Sequence, residues 1–401
     1  MVGSRKQQIT QKGPTWIIVL VCLACLFLIA LFINPLLSHT AVCKFFPTQA
    51  CRIHNHDDMH SNPFPRELTD NEIESRVVVK EMLKFNSVRT KTSKVAFLFM
   101  TPGSLPFEKL WHKFFQGHEG KFSIYVHASK EKPVHVSRYF VGREIHSEPV
   151  GWGKFSMVEA EKRLLAHALL DPDNQHFALL SESCIPVRHF EFVYNYLLFT
   201  NVSFIECYID PGPHGNGRYI HHMLPEVEEK DFRKGSQWFT MKRQHAIIVM
   251  ADSLYFTKFK YHCRVCTMLL TFTCLMFFPL LIAWTNCWFL SMFKHVQPGM
   301  EGGRNCYSDE HYLPTFLNMV DPGGIANWSV TYVDWSEGKW HPRSFSAQDI
   351  TSNLMKYFTK TVLFTPCMWN GSKRPCYLFA RKFYPETIDK LIHLFSNSSS
   401  S

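Results

Sequence analysis

The sequence predicts a mixed α/β fold in which helices flank a mostly parallel sheet. Short apolar runs bounded by turn residues, which are typical of buried strands, alternate along the chain with longer segments of helical periodicity. Strands are predicted over 94–101, 121–127, 176–181 and 202–207, and helices over 106–115, 156–170 and 190–199. Because strand–helix–strand units of this length form parallel pairs, the sheet is expected to be mostly parallel.

The carboxyl ends of the predicted strands are the expected ligand-binding edge, because open α/β sheets bind ligands there. The residues that follow these ends are Thr101, Val126 with His127, Ser181 with Glu182, and the segment 206–210. Ordinary loop capping is the alternative role for each of them.

The N-terminus carries a predicted membrane anchor. Residues 16–33 form an uninterrupted apolar run of 18 residues, extended to 37, which is long enough to cross a bilayer as a helix. Arg5, Lys6 and Lys12 precede it, so the short tail 1–15 is expected in the cytosol and the remainder in the lumen. A cleaved signal peptide is the alternative, but its apolar core is normally shorter.

The remaining chain is predicted to comprise a stem (38–92), a lumenal domain (93–395) and a disordered tail (396–401). The stem contains one helical stretch, 71–85, with acids early and lysines late, which is expected to dock on the domain.

Two further features agree with a lumenal body. Glycosylation sequons occur at Asn201, Asn327, Asn370 and Asn397. Eight cysteines lie outside the apolar runs, an even set that predicts disulfides of undetermined pairing in an oxidising compartment. They are Cys43, Cys51, Cys184, Cys207, Cys263, Cys306, Cys367 and Cys376.

The formal charge of +9 does not indicate nucleic-acid binding, because the basic residues are dispersed and no zinc-knuckle or RNA-binding signature occurs. The excess charge is better suited to anionic substrates.

Four motifs carry a family resemblance. They are Phe177-Ala-Leu-Leu-Ser-Glu-Ser-Cys-Ile-Pro-Val-Arg188, Gly235-Ser-Gln-Trp-Phe-Thr-Met-Lys-Arg243, Asp309-Glu310-His311 and Leu378-Phe-Ala-Arg-Lys-Phe383. In this order they resemble the core-2/I-branching β-1,6-N-acetylglucosaminyltransferases, and more closely the plant DUF266 or BC10-like branch. The resemblance covers about residues 94–395 and implies a GT-A-like, Rossmann-type sheet in a Golgi membrane glycosyltransferase.

The resemblance also implies an inverting, metal-independent transfer from a UDP-sugar, UDP-N-acetylglucosamine foremost, to a hydroxyl of a glycan or glycoprotein. Glu310 matches the family's catalytic base, and Arg374 and Lys382 match the cations that stabilise the leaving nucleotide. Such roles are chemically apt, since a carboxylate can accept the hydroxyl proton and cations can clamp a pyrophosphate. The structural alternatives are a helix cap for the acids, in particular Asp309, and solvated surface positions for the cations.

Further site residues are expected from the same resemblance. Val126 and His127 match the donor-binding end of the second strand, although Ser129 stands where the animal members have an acid. Trp335 matches a tryptophan near the acceptor site, with packing in the core as the alternative. Arg243 closes the second motif and is expected on the acceptor side. His311 is interpreted as a packing residue.

The family pattern is interrupted at 265–297. This segment is apolar over 268–293, but a second membrane crossing would separate Glu310 from the first half of the domain. Removing the segment joins Arg264 to Pro298 in uninterrupted family sequence, and a valine at its start and a glutamine at its end suit in-frame intron boundaries. We interpret it as a retained intron, with a genuine structural insert as the alternative.

The competing functional interpretation is a catalytically inactive Golgi glycan-binding or scaffold protein with the same fold. The presence together of Glu310, Arg374 and Lys382 favours the enzyme.

Overall fold

The computed structural model describes residues 68–82, 93–263, 305–339, 341–359, 367–369 and 372–397. These residues belong to one folded unit, Leu68–Ser401. The predicted cytosolic tail, the anchor and the insert lie outside the described residues, as do most of the stem and residues 398–401. Ser396 and Asn397, which were predicted to belong to the disordered tail, instead end the last helix. Within the described part, no helix is long and apolar enough to span a bilayer.

The helices and strands are named here in chain order over the described residues. The helices are α1 (Asp70–Met82), α2 (Glu108–Phe115), α3 (Ser156–Leu169), α4 (Phe190–Leu198), α5 (Arg243–Ala251), α6 (Leu254–His262), α7 (Ser308–Val320), α8 (Ser352–Thr359) and α9 (Ile388–Asn397). The strands are β1 (Lys94–Thr101), β2 (Phe122–Ala128), β3 (Asn174–Ser181), β4 (Ile185–Pro186), β5 (Ser203–Glu206), β6 (Thr240–Lys242), β7 (Ile325–Asn327), β8 (Thr331–Val333), β9 (Cys367–Trp369), β10 (Ser372–Arg374) and β11 (Phe379–Arg381).

The central sheet has six strands in the order β2-β1-β3-β6-β5-β7. Only β6 runs antiparallel to its neighbours, so the predicted mostly parallel sheet is confirmed. Two smaller sheets were not predicted: β4, β11 and β8 form one, and β9 and β10 form a hairpin. Their strands have two or three residues each, too short to give a periodic signal.

Strand β1 shows how the sequence places this sheet inside the protein. Its residues alternate between the two faces: Val95, Phe97 and Phe99 pack into one apolar cluster, and Ala96 and Leu98 pack into another. Because successive side chains of a strand point to opposite faces, a strand covered by helices on both sides must be apolar throughout. The sheet therefore forms the middle of three layers.

Helix α1 precedes the first strand and packs on α3 and α5, and the helix predicted over 71–85 corresponds to it. Its buried residues are Ile73 and Val77. Acids on the same side of α1 make ion pairs with cations of the domain, namely Asp70 with Arg163 at 2.6 Å, Glu74 with Lys162 at 3.0 Å and Glu81 with Arg243 at 2.5 Å.

Two disulfides confirm part of the cysteine prediction. Cys263 pairs with Cys306, and Cys367 pairs with Cys376 across the β9–β10 hairpin. The expectation for Cys184 and Cys207 was wrong, because both are buried free thiols. Cys184 accepts a hydrogen bond from the Ser181 amide, and Cys207 donates to the Pro314 carbonyl. Cys43 and Cys51 lie outside the described residues.

The Cys263–Cys306 disulfide brackets the apolar insert. The Cα atoms of the two cysteines lie 4.8 Å apart, and the Ser308 hydroxyl donates to the Cys263 carbonyl at 2.7 Å. The chain thus leaves and re-enters the domain at adjacent points. A single bilayer crossing by 265–297 would separate these points by about 30 Å, so the two halves of the domain share one compartment.

Deletion of 265–297 is expected to leave the fold intact. Nine residues, Arg264 and 298–305, would then connect the two cysteines, enough to close a loop whose ends are already adjacent. We expect an unfolding temperature at least equal to that of the full chain and less aggregation, measured by differential scanning fluorimetry and size-exclusion chromatography.

The control for this deletion removes the bond as well. Cys263→Ser with Cys306→Ser in the shortened chain should lower the free energy of unfolding by about 2–4 kcal/mol. A shortened chain that fails to form the bond, or that aggregates more than the full chain, would show that the insert is part of the fold.

The structure describes the side chains of two of the four predicted glycosylation sites. Asn201 and Asn327 are exposed, as an acceptor must be. Asn370 and the side chain of Asn397 lie outside the described residues.

Candidate active site

Helix α7 carries the predicted base at its amino end. Asp309 and Glu310 lie in its first turn, where acids complement the positive end of the helix. The amide of Gly235 donates to the Glu310 carbonyl at 2.9 Å, which ties the helix start to the long connection between β5 and β6. The base is therefore fixed by backbone contacts as well as by its helix.

The Glu310 side chain lies in a cluster of charges. Arg218 Nη1 donates to Glu310 Oε2 at 2.6 Å, and Lys234 Nζ lies 4.0 Å from the same oxygen. The Glu310 side chain is 28% exposed, whereas that of Arg218 is 8% exposed. The Glu310 carboxylate is thus bound by cations of the protein on one side and is open to solvent on the other.

Arg218 is itself held in place. Its guanidinium lies 4.5 Å from the ring centroid of Tyr307, the residue before α7, and Nη1 lies 3.4 Å from His311 Nε2. His311 donates from Nδ1 to the Arg233 carbonyl at 2.7 Å and stacks on Phe232. Burial lowers the pKa of His311 to about 3, so its neutral ring can accept a hydrogen bond from Arg218. This contact gives His311 a supporting role beside its packing.

Other acids surround the two cations. Glu206 ends β5, and burial raises the pKa of its carboxyl group. Asp210 lies 3.6 Å from Lys234. Burial, reinforced by these carboxylates and Glu310, raises the pKa of Tyr208 to about 12. The mixed charges can bind a polar, uncharged substrate through several hydrogen bonds.

The interpretation of Asp309 as a helix cap was wrong. No side-chain hydrogen bond caps α7, and the Oδ1 atom of Asp309 is buried without a hydrogen-bond partner among the described residues. Burial raises the pKa of Asp309 to about 7, and the negative charge of the neighbouring Glu310 is the second cause. The Glu161 carboxyl, which accepts a hydrogen bond from Gln237 at 2.9 Å, is buried nearby and its pKa is also raised. Asp309 and Glu161 therefore form a pair of neighbouring acids whose pKa values are both raised.

The predicted donor-binding residues of β2 are both fully buried. Val126 binds the following loop through backbone hydrogen bonds to Arg143 and Ile145. His127 Nε2 accepts from the Glu148 amide and from Arg163, both at 3.3 Å. Burial and the Arg163 charge lower the pKa of His127 to about 4. Val126 and His127 therefore support the carboxyl edge of the sheet from the protein interior and are not exposed at its surface.

The two predicted leaving-group cations lie at different places. Lys382 follows β11, and the next residue, Phe383, donates its amide to the Ser183 carbonyl just beyond the carboxyl end of β3. Arg374 lies 3.3 Å from the hydroxyl of Thr200, which precedes the amino end of β5. The structure therefore places Lys382 at the ligand-binding edge with Glu310, and it places Arg374 toward the opposite edge.

The predicted acceptor residues divide in the same way. Trp335, 52% exposed, follows β8, whose end pairs with Arg381 next to Lys382. Arg243 is buried at the amino end of β3, where it donates to the carbonyls of Leu169, Asp171 and Asn174. The structure does not bring Arg243 to Glu310.

One Asp-x-Asp triplet, the pattern that holds a divalent metal in many nucleotide-sugar transferases, occurs in this chain as Asp171-Pro-Asp173. It precedes β3 at the amino edge, where both carboxylates contact Lys94, at 3.0 Å and 3.6 Å. No group of metal-ligating side chains is found among the described residues.

Arg218 and Lys234 were missed by the sequence analysis. Both lie in the connection 207–239 between β5 and β6, whose length and position after a strand end are typical of functional loops. Lys234 also precedes the Gly235 motif directly. The cations in this connection were therefore identifiable as candidates, although their pairing with Glu310 was not.

Comparisons with known proteins show the family of this chain. The Core-2/I-Branching enzyme family matches residues 95–358. The chain is 34% identical over 325 residues to the protein named Glycosyltransferase BC10 from Oryza sativa subsp. japonica, which covers 75% of this chain and 76% of the relative. The resemblance predicted from the four sequence motifs is confirmed, and the chain belongs to the core-2/I-branching family of glycosyltransferases.

Proposed function

We propose that this protein transfers N-acetylglucosamine from its UDP conjugate to a glycan hydroxyl, with inversion at the anomeric carbon and without a metal. The observation that carries the proposal is the position of Glu310, held by Arg218 at 2.6 Å and open to solvent at the carboxyl edge of the sheet. Family membership supports the donor sugar, the β-1,6 linkage and the GT-A-like fold as parts of this proposal.

The reaction requires one proton transfer and one substitution. The acceptor oxygen attacks the anomeric carbon while its proton passes to Glu310, and the bond between that carbon and the diphosphate oxygen breaks. Arg218 and Lys234 both approach Oε2, and within the described residues Oε1 has no hydrogen-bond partner. The Oε1 atom can therefore receive the hydroxyl proton.

The leaving UDP carries the negative charge that develops during the reaction. A cation at the carboxyl edge stabilises it electrostatically, and Lys382 is the predicted residue at that place. Arg374 can assist only if the β9–β10 hairpin that carries it moves, since it lies against Thr200.

The cellular setting is part of the proposal. The apolar run 16–37 and the basic residues before it support a single-pass type II membrane protein, and the two disulfides agree with a lumenal domain. We propose the Golgi membrane as its location.

A donor screen tests the function. Purified protein is incubated with UDP-N-acetylglucosamine, UDP-galactose, UDP-glucose and UDP-xylose, with and without EDTA, and released UDP is measured. We expect release from UDP-N-acetylglucosamine that EDTA does not reduce. Lys382→Ala should raise the donor KM or lower kcat by about 10²-fold, the effect of losing one transition-state donor.

The matched control is Lys390→Ala, because Lys390 is exposed on α9 and its ammonium binds only a backbone carbonyl in the described structure. It should leave the rate unchanged. Binding of UDP-sugars or glycans without any UDP release would support the inactive glycan-binding alternative. Loss of activity in EDTA would contradict the metal-independent reaction.

A further inference from the structure

An exposed tryptophan lies beside the base helix and is not explained by packing. Trp152 is 60% exposed, yet its ring centroid lies 5.4 Å from that of Tyr307 and 5.3 Å from that of His341. We call these three residues the aromatic platform. Tryptophan and tyrosine are enriched at binding interfaces, because each combines an apolar ring with a polar donor.

The backbone that carries Trp152 is fixed by its neighbours. Gly153 has φ +68°, a left-handed conformation that favours glycine. The Gly151 amide donates to Ser156 Oγ at 3.0 Å, and the Gly153 amide donates to Met157 Sδ at 3.2 Å. The turn therefore holds the indole at the surface before any ligand arrives, which lowers the entropy cost of binding.

The platform connects directly to the base. Tyr307 supports the guanidinium of Arg218 at 4.5 Å, and Arg218 binds Glu310. Tyr307 also precedes Glu310 by three residues in the chain. Two side chains, Tyr307 and Arg218, therefore link Trp152 to Glu310.

We propose that the aromatic platform is a subsite for a pyranose ring of the acceptor, stacked on the indole of Trp152. The flat indole face fits the C–H face of a sugar, and the indole N–H supplies one hydrogen-bond donor at its edge. The proposal rests on the proposed function, because it places this sugar next to the ring whose hydroxyl reacts. It adds Trp152 to the acceptor-side residues expected from the sequence.

The kinetic test uses Trp152→Ala and Trp152→Phe. The alanine variant should raise the acceptor KM about 10-fold, since aromatic stacking of this kind contributes roughly a tenfold factor in affinity. The donor KM and the rate of UDP-sugar hydrolysis without acceptor should stay within about twofold, and phenylalanine should restore most of the affinity. Phe199→Ala is the control, because Phe199 is 80% exposed at the end of α4.

The outcomes separate the possible roles. An unchanged acceptor KM in a folded Trp152→Ala variant would overturn the proposal. A raised donor KM with an unchanged acceptor KM would also overturn it, because the indole would then serve the nucleotide sugar.

A binding measurement keeps the proposal independent of turnover. Tryptophan fluorescence of Glu310→Gln is titrated with lactose, N-acetyllactosamine, cellobiose and xylobiose, with and without Trp152→Ala. We expect saturable quenching by at least one sugar that disappears with the alanine. If the protein releases no UDP but this quenching occurs, the platform stands and the proposed reaction fails. No quenching by any of the four sugars would overturn the platform.

Discussion

Replacing Glu310 with glutamine is expected to lower kcat for sugar transfer by about 10²–10⁴-fold, the usual contribution of a positioned general base. Glutamine keeps the size of the side chain and can still contact the hydroxyl, but it cannot accept a proton. The donor KM should change little, because in the proposed reaction Glu310 acts on the acceptor hydroxyl. Both quantities are measured with purified enzyme, UDP-N-acetylglucosamine and an acceptor glycan.

The control for this variant is Glu229→Gln, which removes an exposed acid from the same β5–β6 connection. Its kcat should equal that of the unaltered protein. A second comparison, Arg218→Met, leaves the carboxylate in place but removes its partner, and should lower kcat less than Glu310→Gln. Equal activity of Glu310→Gln and the unaltered enzyme would remove Glu310 from the mechanism.

Gly235→Ala is expected to cause a large loss of stability. A Cβ atom at Gly235 would lie 1.8 Å from the Glu206 carbonyl oxygen and 2.8 Å from Pro314 Cγ. Backbone atoms cannot adjust as a flexible side chain can, so either β5 or the start of α7 must move. We expect the free energy of unfolding to fall by about 3 kcal/mol, at the upper end of overpacking effects, in urea or thermal unfolding.

Activity should fall with it, because the Gly235 amide binds the Glu310 carbonyl and a displaced backbone misplaces the base. Gly323→Ala is the matched control, since a Cβ at Gly323 meets nothing within 4 Å and φ lies outside the left-handed region. A Gly235→Ala protein as stable and as active as Gly323→Ala would show that the close approach to Glu206 does not constrain the site.

The parts of the fold that the sequence predicts well are those with a repeated local signal. Strand β1 has the predicted bounds, and the predicted helices over 106–115, 156–170 and 190–199 correspond to α2, α3 and α4 within two residues at each end. Apolar runs and helical periodicity are local properties of the sequence, so they can be recognised without knowledge of the tertiary structure. The antiparallel strand β6 gave no such signal, because it has only three residues. Its direction depends on the path of the long connection that precedes it.

The position of a site residue was predictable where it depends on the nearest strand or helix, and less so where it depends on contacts between distant parts of the chain. Glu310 and Lys382 lie at the expected edge. Arg374 and Arg243 do not, because their positions depend on a short hairpin and on the ion pair with Glu81. The burial of the Asp309 Oδ1 atom was equally hidden, since the sequence shows the neighbours of Asp309 in the chain but not the nearby Glu161.

Helix α1 sets where an independently stable fragment of this protein must begin. The family match starts at residue 95, beyond α1. A chain trimmed to the family boundary would leave Lys162, Arg163 and Arg243 without the acids that neutralise them, and would uncover the apolar surface beneath Ile73 and Val77. Secreted versions intended for crystallisation or assay should therefore retain the chain from Leu68 onward.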